Sequence, residues 1–208
     1  MREFKPDVVI GTGGYVCYPV LMAASELKIP TAVHESNAVP GLTTKLLAEH
    51  VDKVMVGFEE SRGAYHHPEK VEVTGTPVRG EFAAYSKALA KRELGLDPDE
   101  PLVVSVWGSL GAAHMNKIMG ELISMMADSR PFRLIHSVGS MYYKGFMEKL
   151  SETAPDYASY GVDIREYIHD MDDCLAAADL VISRCGAMTL SELPAAGKPS
   201  ILIPSPNV

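Results

Sequence analysis

Short apolar runs alternate with stretches of helical pattern along the whole chain. The β-branched runs lie at 7–10, 31–34, 53–56, 70–73, 102–107, 132–137, 162–167, 179–183 and 200–204. Helical patterns at 18–27 and 40–50 separate the first three runs. Short apolar strands that alternate with helices are typical of α/β proteins, in which helices cover both faces of parallel sheets. The pattern therefore predicts an α/β fold.

The clearest predicted helix covers 112–127. Its apolar residues recur at intervals of three and four, the spacing that places side chains on one face of a helix. These residues are Met115, Ile118, Met119, Leu122 and Met126. They form one apolar stripe along the helix.

The alternation is interrupted between Thr76 and Pro101. "TPVRGEF" is followed by a charged helical stretch, "SKALAKREL", and then by "GLDPDEP". We interpret this segment as a domain connection with its boundary near Pro77–Arg79, and we assign the charged helix to the second domain. The predicted domains are therefore 1–78 and 79–208.

Composition excludes several classes of protein. The chain has 208 residues and a net charge of −8, with 8 basic and 10 acidic residues in 1–80 and 11 basic and 17 acidic residues in the remainder. Neither part shows the basic excess typical of nucleic-acid binding. Three cysteines without C-x-x-C spacing argue against a disulfide framework or a zinc site and suit a reducing cytoplasm. No signal peptide is evident, and no apolar run approaches the ~20 residues of a membrane span.

Three glycine-rich turns each follow a predicted strand. They read "IGTGGYV", "WGSLGA" and "SRCGAMT". Glycine permits sharp turns and close approach of a ligand to backbone N–H groups, and a helix start carries partial positive charge. Two such turns in the second domain favour binding of a phosphate group. None has the Lys-Ser/Thr of a P-loop or a complete G-x-G-x-x-G, so ATP hydrolysis and dinucleotide binding are not favoured.

The third turn leaves two interpretations open. Glu192 lies three residues after Thr189, the spacing of a capping box in which Thr189 would cap the helix and Glu192 would reach back to it. Alternatively, Glu192 is a carboxylate that binds ribose hydroxyls, as acidic residues do in dinucleotide folds. Spacing alone does not separate the two.

Other polar clusters also have a structural and a functional interpretation. His34 and Glu35, in "HESNAVPG", could form an acid–base pair or a hydrogen-bonded loop cluster. Asp172 and Asp173 resemble a DxD-like acidic pair, but the start of a helix, where acidic charge is favourable, fits better because they precede "CLAAA". No His or Cys cluster has metal-ligand spacing, so we predict no metal site and no cofactor.

Six motifs, in this order, resemble the MurG-type N-acetylglucosaminyltransferases. They are "DVVIGTGGYVCYPVLMAA", "HESNAVPGLTTKLLA", "VTGTPVR", "GSLGAAHMN", "REYIHDM" and "SRCGAMTLSELPAAGKPSILIPSPN". The resemblance implies a GT-B-like fold with two Rossmann-like lobes, both incomplete here. Residues 1–78 would form the second part of the N-terminal acceptor-binding lobe, and 79–208 most of the C-terminal lobe that binds the UDP-sugar.

The resemblance also implies an inverting transfer of N-acetylglucosamine from UDP-N-acetylglucosamine to the 4-hydroxyl of lipid I, without a metal. It assigns donor binding to Asn37, Arg79, Ser109, Ile168, Ala187, Met188, Thr189, Leu190, Ser191 and Glu192. Ile168 would meet uracil through its backbone, and Glu192 would hold the ribose. The diphosphate would lie against Ser109 and the backbone of Ala187–Ser191. The lipid-linked acceptor would face Gly13, Gly14 and Tyr15. His34 and Glu35 are the catalytic candidates within this chain.

By the same resemblance, the enzyme works peripherally on the cytoplasmic side of the bacterial cell membrane, at its inner leaflet, and binds no nucleic acid. A glycine-rich loop with the family's candidate catalytic His would precede Met1, and sugar-binding glutamines would follow Val208. We therefore expect a truncated transferase with weak UDP affinity and little or no activity. Two alternatives remain: a nucleotide-sugar-binding subunit of a split glycosyltransferase, and a GT-B sugar-nucleotide 2-epimerase.

Overall fold

A computed structural model describes residues 1, 3–78, 86–108, 111–127 and 129–204. The chain divides into two compact units, Met1–Val78 (unit 1) and Arg79–Val208 (unit 2). Each unit has its own parallel sheet. The α/β class with two parallel sheets is thereby confirmed.

Unit 1 contains a four-stranded parallel sheet in the order β1-β2-β3-β4. The strands are β1 (Val9–Gly11), β2 (Thr31–Glu35), β3 (Lys53–Val56) and β4 (Val71–Val73). The helices are α1 (Cys17–Glu26) and α2 (Leu42–Ala48), and two short 3₁₀ segments cover Glu59–Ala64 and Pro68–Lys70. Leu21 from α1 and Leu47 from α2 pack with Val33, Val54 and Val56 of the sheet. Burial of these aliphatic side chains is the main favourable contribution to folding of the unit.

Unit 2 contains a five-stranded parallel sheet in the order β7-β6-β5-β8-β9. The strands are β5 (Leu102–Val106), β6 (Arg133–Ser137), β7 (Val162–Arg165), β8 (Leu180–Arg184) and β9 (Ser200–Ile203). The helices are α3 (Lys87–Glu93), α4 (Ala113–Met125), α5 (Tyr143–Thr153), α6 (Met171–Ala177) and α7 (Ala187–Ala195), with a 3₁₀ turn at Tyr157–Tyr160. The chain runs outward from β5 through β6 to β7, then returns to the other side of β5 for β8 and β9. The strand order thus reverses between β5 and β8, and ligands of open α/β sheets bind beyond the carboxyl ends of strands at such a point.

The buried face of α4 differs from the predicted stripe. Met115, Met119 and Met126 are buried as expected, but Ile118 is 41% exposed, while Asn116 is only 3% exposed and Ile123 is fully buried. Ile118 therefore belongs to the apolar stripe of the sequence but not to the buried face. The helix buries a polar residue of its first turn, which hydrophobicity alone does not indicate.

Candidate functional site

A cavity of about 330 Å³ lies in unit 2, where β5 and β8 end. Its walls come from the turn after β5, from α6, and from the end of β8 with the first turns of α7. The lining residues are Val106, Trp107, Gly108, Met171, Leu175, Val181, Ser183, Arg184, Gly186, Thr189, Glu192 and Leu193. Because Val106 pairs with Ser183 in the sheet, the two turns leave the strands at the same level. The cavity therefore lies at the switch point of the sheet.

The start of α7 forms one wall of this cavity. The helix begins at Ala187, and its N-cap is Gly186, which has extended backbone geometry and no side-chain capping hydrogen bond. Thr189 is consequently the third residue of the helix rather than its cap. The capping-box interpretation was wrong, because the bare Gly186 lets the helix begin three residues earlier than that interpretation requires. Backbone N–H groups at such a helix start can bind an anion.

The turn before α4 is the second glycine-rich element at this edge. Gly108 and Gly111 have φ values of 81° and 77°, which lie in the left-handed region that favours glycine. Ala112, the N-cap of α4, makes no side-chain capping hydrogen bond. A Cβ at Gly111 would overlap the carbonyl oxygen of Val138, so the turn packs directly against the end of β6. Ser109, a predicted diphosphate ligand, lies outside the described residues.

The remaining predicted donor residues of unit 2 flank this cavity along the chain. Ile168 is buried and lies between β7 and α6, three residues before the cavity residue Met171. Met188, Leu190 and Ser191 lie in the first two turns of α7, and the Ser191 hydroxyl donates to the carbonyl of Ala187 at 3.1 Å. Asp172 and Asp173 lie in the first turn of α6, which confirms their assignment to a helix start.

In unit 1, the predicted acceptor residues form an open turn after β1. Gly13 and Gly14 have φ values of 91° and 80°, and a Cβ at either position would meet no atom within 4 Å. The side chain of Tyr15 is 86% exposed. Cys17 of α1 contacts the turn, since its Sγ lies 2.7 Å from the Gly13 carbonyl oxygen. The turn is thus anchored on one side and accessible on the other.

His34 and Glu35 are both buried at the end of β2, but they contact different groups. The Nε2 atom of His34 lies 2.9 Å from the carbonyl oxygen of Gly75, and its Nδ1 lies 3.4 Å from the hydroxyl of Ser36. A carbonyl oxygen only accepts hydrogen bonds, so Nε2 carries the proton and Nδ1 is the basic nitrogen of the neutral ring. This tautomer leaves Nδ1 as the atom that could accept a proton.

Glu35 organises the loop that follows β2. Its carboxylate accepts hydrogen bonds from the backbone N–H groups of Asn37 and Gly41, each at 3.0 Å, and from the side-chain amide of Asn37 at 2.9 Å. Burial by itself raises the pKa of Glu35, but these bonds and one from the Thr44 hydroxyl outweigh it and hold the pKa below its usual range. The bond from its NH₂ group to Glu35 fixes the orientation of the Asn37 side-chain amide. Arg79, a further predicted ligand, lies outside the described residues.

Several residues of this cavity were not among the predicted ligands. Trp107, Met171, Leu175 and Arg184 all line the cavity of unit 2. Met171 and Leu175 have the spacing of two successive turns on one helix face, which was a usable signal. Arg184 gave no signal, because an Arg at the end of a strand is also common on ordinary surfaces. Within the described residues, no group of three or more His, Cys, Asp or Glu side chains could hold a metal ion.

Comparisons with known proteins agree with this architecture. A protein of Acetivibrio thermocellus named UDP-N-acetylglucosamine--N-acetylmuramyl-(pentapeptide) pyrophosphoryl-undecaprenol N-acetylglucosamine transferase is 48% identical over 208 residues, covering 100% of this chain and 55% of that protein. A protein of the same name from Caldanaerobacter subterraneus is also 48% identical. The chain spans about half the length of these curated relatives.

Solved structures share the fold. The crystal structure of Acinetobacter baumannii MurG matches with a TM-score of 0.67 at 28% identity, covering 100% of this chain and 55% of that chain. A putative UDP-N-acetylglucosamine 2-epimerase from Listeria monocytogenes matches with a TM-score of 0.72 but only 14% identity, covering 97% of this chain and 58% of that one. The second likeness is evidence for the fold alone.

Family assignment rests on both parts of the chain. Residues 1–56 match the glycosyltransferase family 28 N-terminal domain, and residues 102–208 match the glycosyltransferase family 28 C-terminal domain. The second match includes the two turns, the cavity between them and the whole of α7. The chain therefore belongs to glycosyltransferase family 28.

Proposed function

We propose that the protein to which this sequence belongs transfers N-acetylglucosamine from UDP-N-acetylglucosamine to the 4-hydroxyl of lipid I, which yields lipid II for peptidoglycan. The observation that carries the proposal is the cavity at the switch point of unit 2, with the uncapped start of α7 and the carboxylate of Glu192 on its wall. A nucleoside diphosphate requires both features, an anion site and a hydroxyl acceptor. The names of relatives at 48% identity support this donor and this acceptor.

In the proposed donor complex, unit 2 holds the nucleotide. The diphosphate lies against the backbone N–H groups from Ala187 to Ser191, with Ser109 as a second contact, and Glu192 accepts hydrogen bonds from the ribose hydroxyls. Ile168 meets uracil through its backbone. The partial positive charge of the α7 start stabilises the diphosphate most when UDP departs, because negative charge accumulates there in the transition state. Arg79 and Asn37 are proposed as further donor contacts.

We assign the acceptor side of the reaction to unit 1. Attack by the acceptor hydroxyl on the anomeric carbon inverts its configuration, and a base must remove the hydroxyl proton. Nδ1 of His34 is the proposed base within this chain, since the Gly75 carbonyl fixes the proton on Nε2. We propose that Glu35 acts through Asn37, whose amide it orients. Gly13, Gly14 and Tyr15 would face the diphosphate of the acceptor.

We further propose that unit 1 contacts the cytoplasmic face of the cell membrane, where a lipid-linked acceptor resides. Exposed apolar side chains follow β1 and β2, which are neighbouring parallel strands. Val39 is 79% exposed and Leu42 is 74% exposed, and they lie at the same sheet edge as Tyr15. None of the described helices is long and apolar enough to cross a bilayer.

The emission of Trp107 provides a direct test of the donor site. It is the only tryptophan of the chain, and it lines the cavity of unit 2. UDP and UDP-N-acetylglucosamine should change its fluorescence in a saturable manner, and an unrelated nucleotide such as AMP should not. We expect weak affinity and little transfer to a lipid I analogue from this chain alone. Equal responses to UDP and AMP, or none to either, would contradict the donor-site assignment.

Two alternatives are distinguished by further assays. A 2-epimerase would convert UDP-N-acetylglucosamine into its C2 epimer, which chromatography of the nucleotide pool detects, and we expect no such product. A nucleotide-sugar-binding subunit of a split enzyme would gain transferase activity only when a complementary chain is added. The epimerase structure is only 14% identical to this chain, so the likeness supports the shared fold and neither alternative.

A further inference from the structure

Asn116 is a buried polar residue at a position where an apolar residue would be expected. It lies in the first turn of α4 and is only 3% exposed. Its Nδ2 donates to the carbonyl oxygen of Val138 at 2.9 Å, whereas its Oδ1 is buried and has no hydrogen-bond partner among the described residues. An unsatisfied buried acceptor costs about 1–3 kcal/mol. Packing therefore does not explain an amide here, since an apolar side chain would avoid this cost.

The bond made by Asn116 connects α4 to a well-anchored point of the sheet. Val138 directly follows β6, and its N–H donates to the carbonyl of Arg165 at the end of β7 at 2.9 Å. Gly139 extends this pairing by donating to Glu166 at 3.0 Å. The Val138 carbonyl is therefore held by the sheet, and a helix bonded to it has its first turn fixed relative to the ends of the strands.

The same carbonyl also contacts the glycine-rich turn. Any Cβ at Gly111 would overlap the Val138 oxygen, so Gly111 and Asn116, in the first turn of α4, meet the same atom. The Gly111 N–H donates to the Gly108 carbonyl at 3.1 Å. Ala112 provides no side-chain cap, and the amide of Asn116 links this helix start to the sheet.

We propose that Asn116 is a positioning residue for the diphosphate subsite of unit 2. It holds Gly111 and the start of α4 against Val138, so that the N–H groups of this helix start keep the arrangement a diphosphate requires. This inference rests on the proposed function for the identity of the anion. A displacement of these N–H groups by about 1 Å is enough to reduce binding strongly, since the preorganised N–H dipoles must point at the anion.

The test compares UDP with uridine, which lacks the diphosphate. In Asn116→Ala and Asn116→Leu, we expect the affinity for UDP to fall about tenfold, the size of one lost hydrogen-bonded contact of about 1.4 kcal/mol. The affinity for uridine should stay within about twofold of the parent value, as expected for an undisturbed base and ribose site. Met119→Ala, one turn further along the same buried face, is the matched control. It should lower the melting temperature and leave both affinities unchanged.

A second measurement does not depend on a ligand. Amide hydrogen exchange should be faster in both Asn116 variants than in the parent chain at Gly111 and at position 116, whose N–H groups donate to the carbonyls of Gly108 and Ala112, and unchanged in Met119→Ala. Unchanged exchange, or equal losses of UDP and uridine affinity, would overturn the proposal. Failure of Asn116→Leu to fold would also overturn it, because Asn116 would then be required for stability. If the parent chain fails to bind UDP, the proposed function and the diphosphate role of Asn116 both fail, and faster exchange would then show only that Asn116 fixes the start of α4.

Discussion

Glu192 lies on the second turn of α7 and on the wall of the cavity in unit 2. Because α7 begins at Ala187, Glu192 does not belong to a capping box at Thr189. On the proposed donor binding, we expect Glu192→Ala to weaken UDP binding by about 1–3 kcal/mol through the loss of charge-assisted hydrogen bonds to ribose. Calorimetric titration measures this loss.

The control for Glu192 is a nucleotide without ribose hydroxyls. Affinity for 2′,3′-dideoxy-UDP should be the same in the parent chain and in Glu192→Ala. Thermal unfolding of the two proteins should differ little. Weaker UDP binding that appears only together with a lower melting temperature would assign Glu192 to the stability of α7 instead.

His136 is a second residue whose behaviour follows from its surroundings. It is fully buried on β6, its Nδ1 lies 3.1 Å from the Ser105 hydroxyl, and its ring lies 5.4 Å from that of Phe146. Burial lowers its pKa from 6.5 to about 4, which the bond to Ser105 only partly opposes. The pKa of His136 is therefore higher in the unfolded chain than in the folded chain. The stability due to neutral His136 is therefore complete above pH 6.5 and is lost as the pH falls towards 4.

Replacing His136 by a residue that does not titrate should remove this pH dependence. Between pH 7 and pH 4.5, we expect the parent chain to lose about 2–3 kcal/mol more unfolding free energy than His136→Gln. Urea denaturation at each pH measures the difference. His66→Gln, at an exposed site, is the control and should follow the parent curve. Parallel curves for the parent and His136→Gln would show that His136 is not buried in its neutral form.

At the scale of elements, α3 is held to the sheet of unit 2 by a buried lysine. Lys91 donates to the carbonyl oxygens of Pro98 and Glu100 at 3.2 and 2.6 Å, and its Nζ lies 3.0 Å from Asp179. Asp179 in turn accepts from the backbone N–H of Leu102 at the start of β5. Burial lowers the pKa of Lys91, as does the nearby charge of Lys87, while neighbouring acidic residues oppose both effects.

We expect Lys91→Met to destabilise unit 2 by about 2–3 kcal/mol, because two carbonyls and part of a carboxylate lose their partner in a buried setting. Lys87→Met provides the comparison, since Lys87 pairs with the same Asp179 from an exposed position. It should cost less than about 1 kcal/mol. Chemical denaturation measures both, and equal costs would mean that the buried bonds of Lys91 contribute nothing of their own.

Element types were predictable from sequence because each rests on a local pattern. The β-branched runs gave all nine strands of the described residues to within about two residues, and the segment at 53–56 agrees at both ends. Features that involve tertiary packing were not predictable. Asn116 is buried on α4 and bonds to Val138, 22 residues away. The start of α7 lies at Gly186 and not where the spacing of Thr189 and Glu192 would place it.

The candidate sites show the same division. Two of the three glycine turns have the positive φ that favours glycine, at Gly13, Gly14, Gly108 and Gly111. The glycine of the third, Gly186, is extended and serves as the N-cap of α7. The sequence could not show whether Glu35 is catalytic or organises its loop. Two of its partners in the loop are the backbone N–H groups of Asn37 and Gly41, which almost any residue supplies. Arg184 and Trp107 reach the cavity only through the pairing of β5 with β8.

At the scale of the whole molecule, the surface charge and the exposed apolar residues predict how the chain meets a membrane. The net charge of −8 opposes binding to anionic lipid, so any binding must come from apolar contact. We expect the chain to co-sediment with phosphatidylglycerol-containing vesicles. Salt at about 0.5 M shortens the Debye length to a few Å and screens charges, but it should not release a chain that is bound by apolar contact. The double variant Val39→Ser, Leu42→Ser should bind at least about fivefold more weakly, because two apolar side chains no longer enter the lipid interface.

The matched control replaces Leu89 and Met125, which are exposed in unit 2 at 45% and 70%, by Ser. This control should sediment like the parent chain, and an equal loss in both double variants would show that exposed apolar area, rather than the edge of unit 1 beside Tyr15, determines the binding.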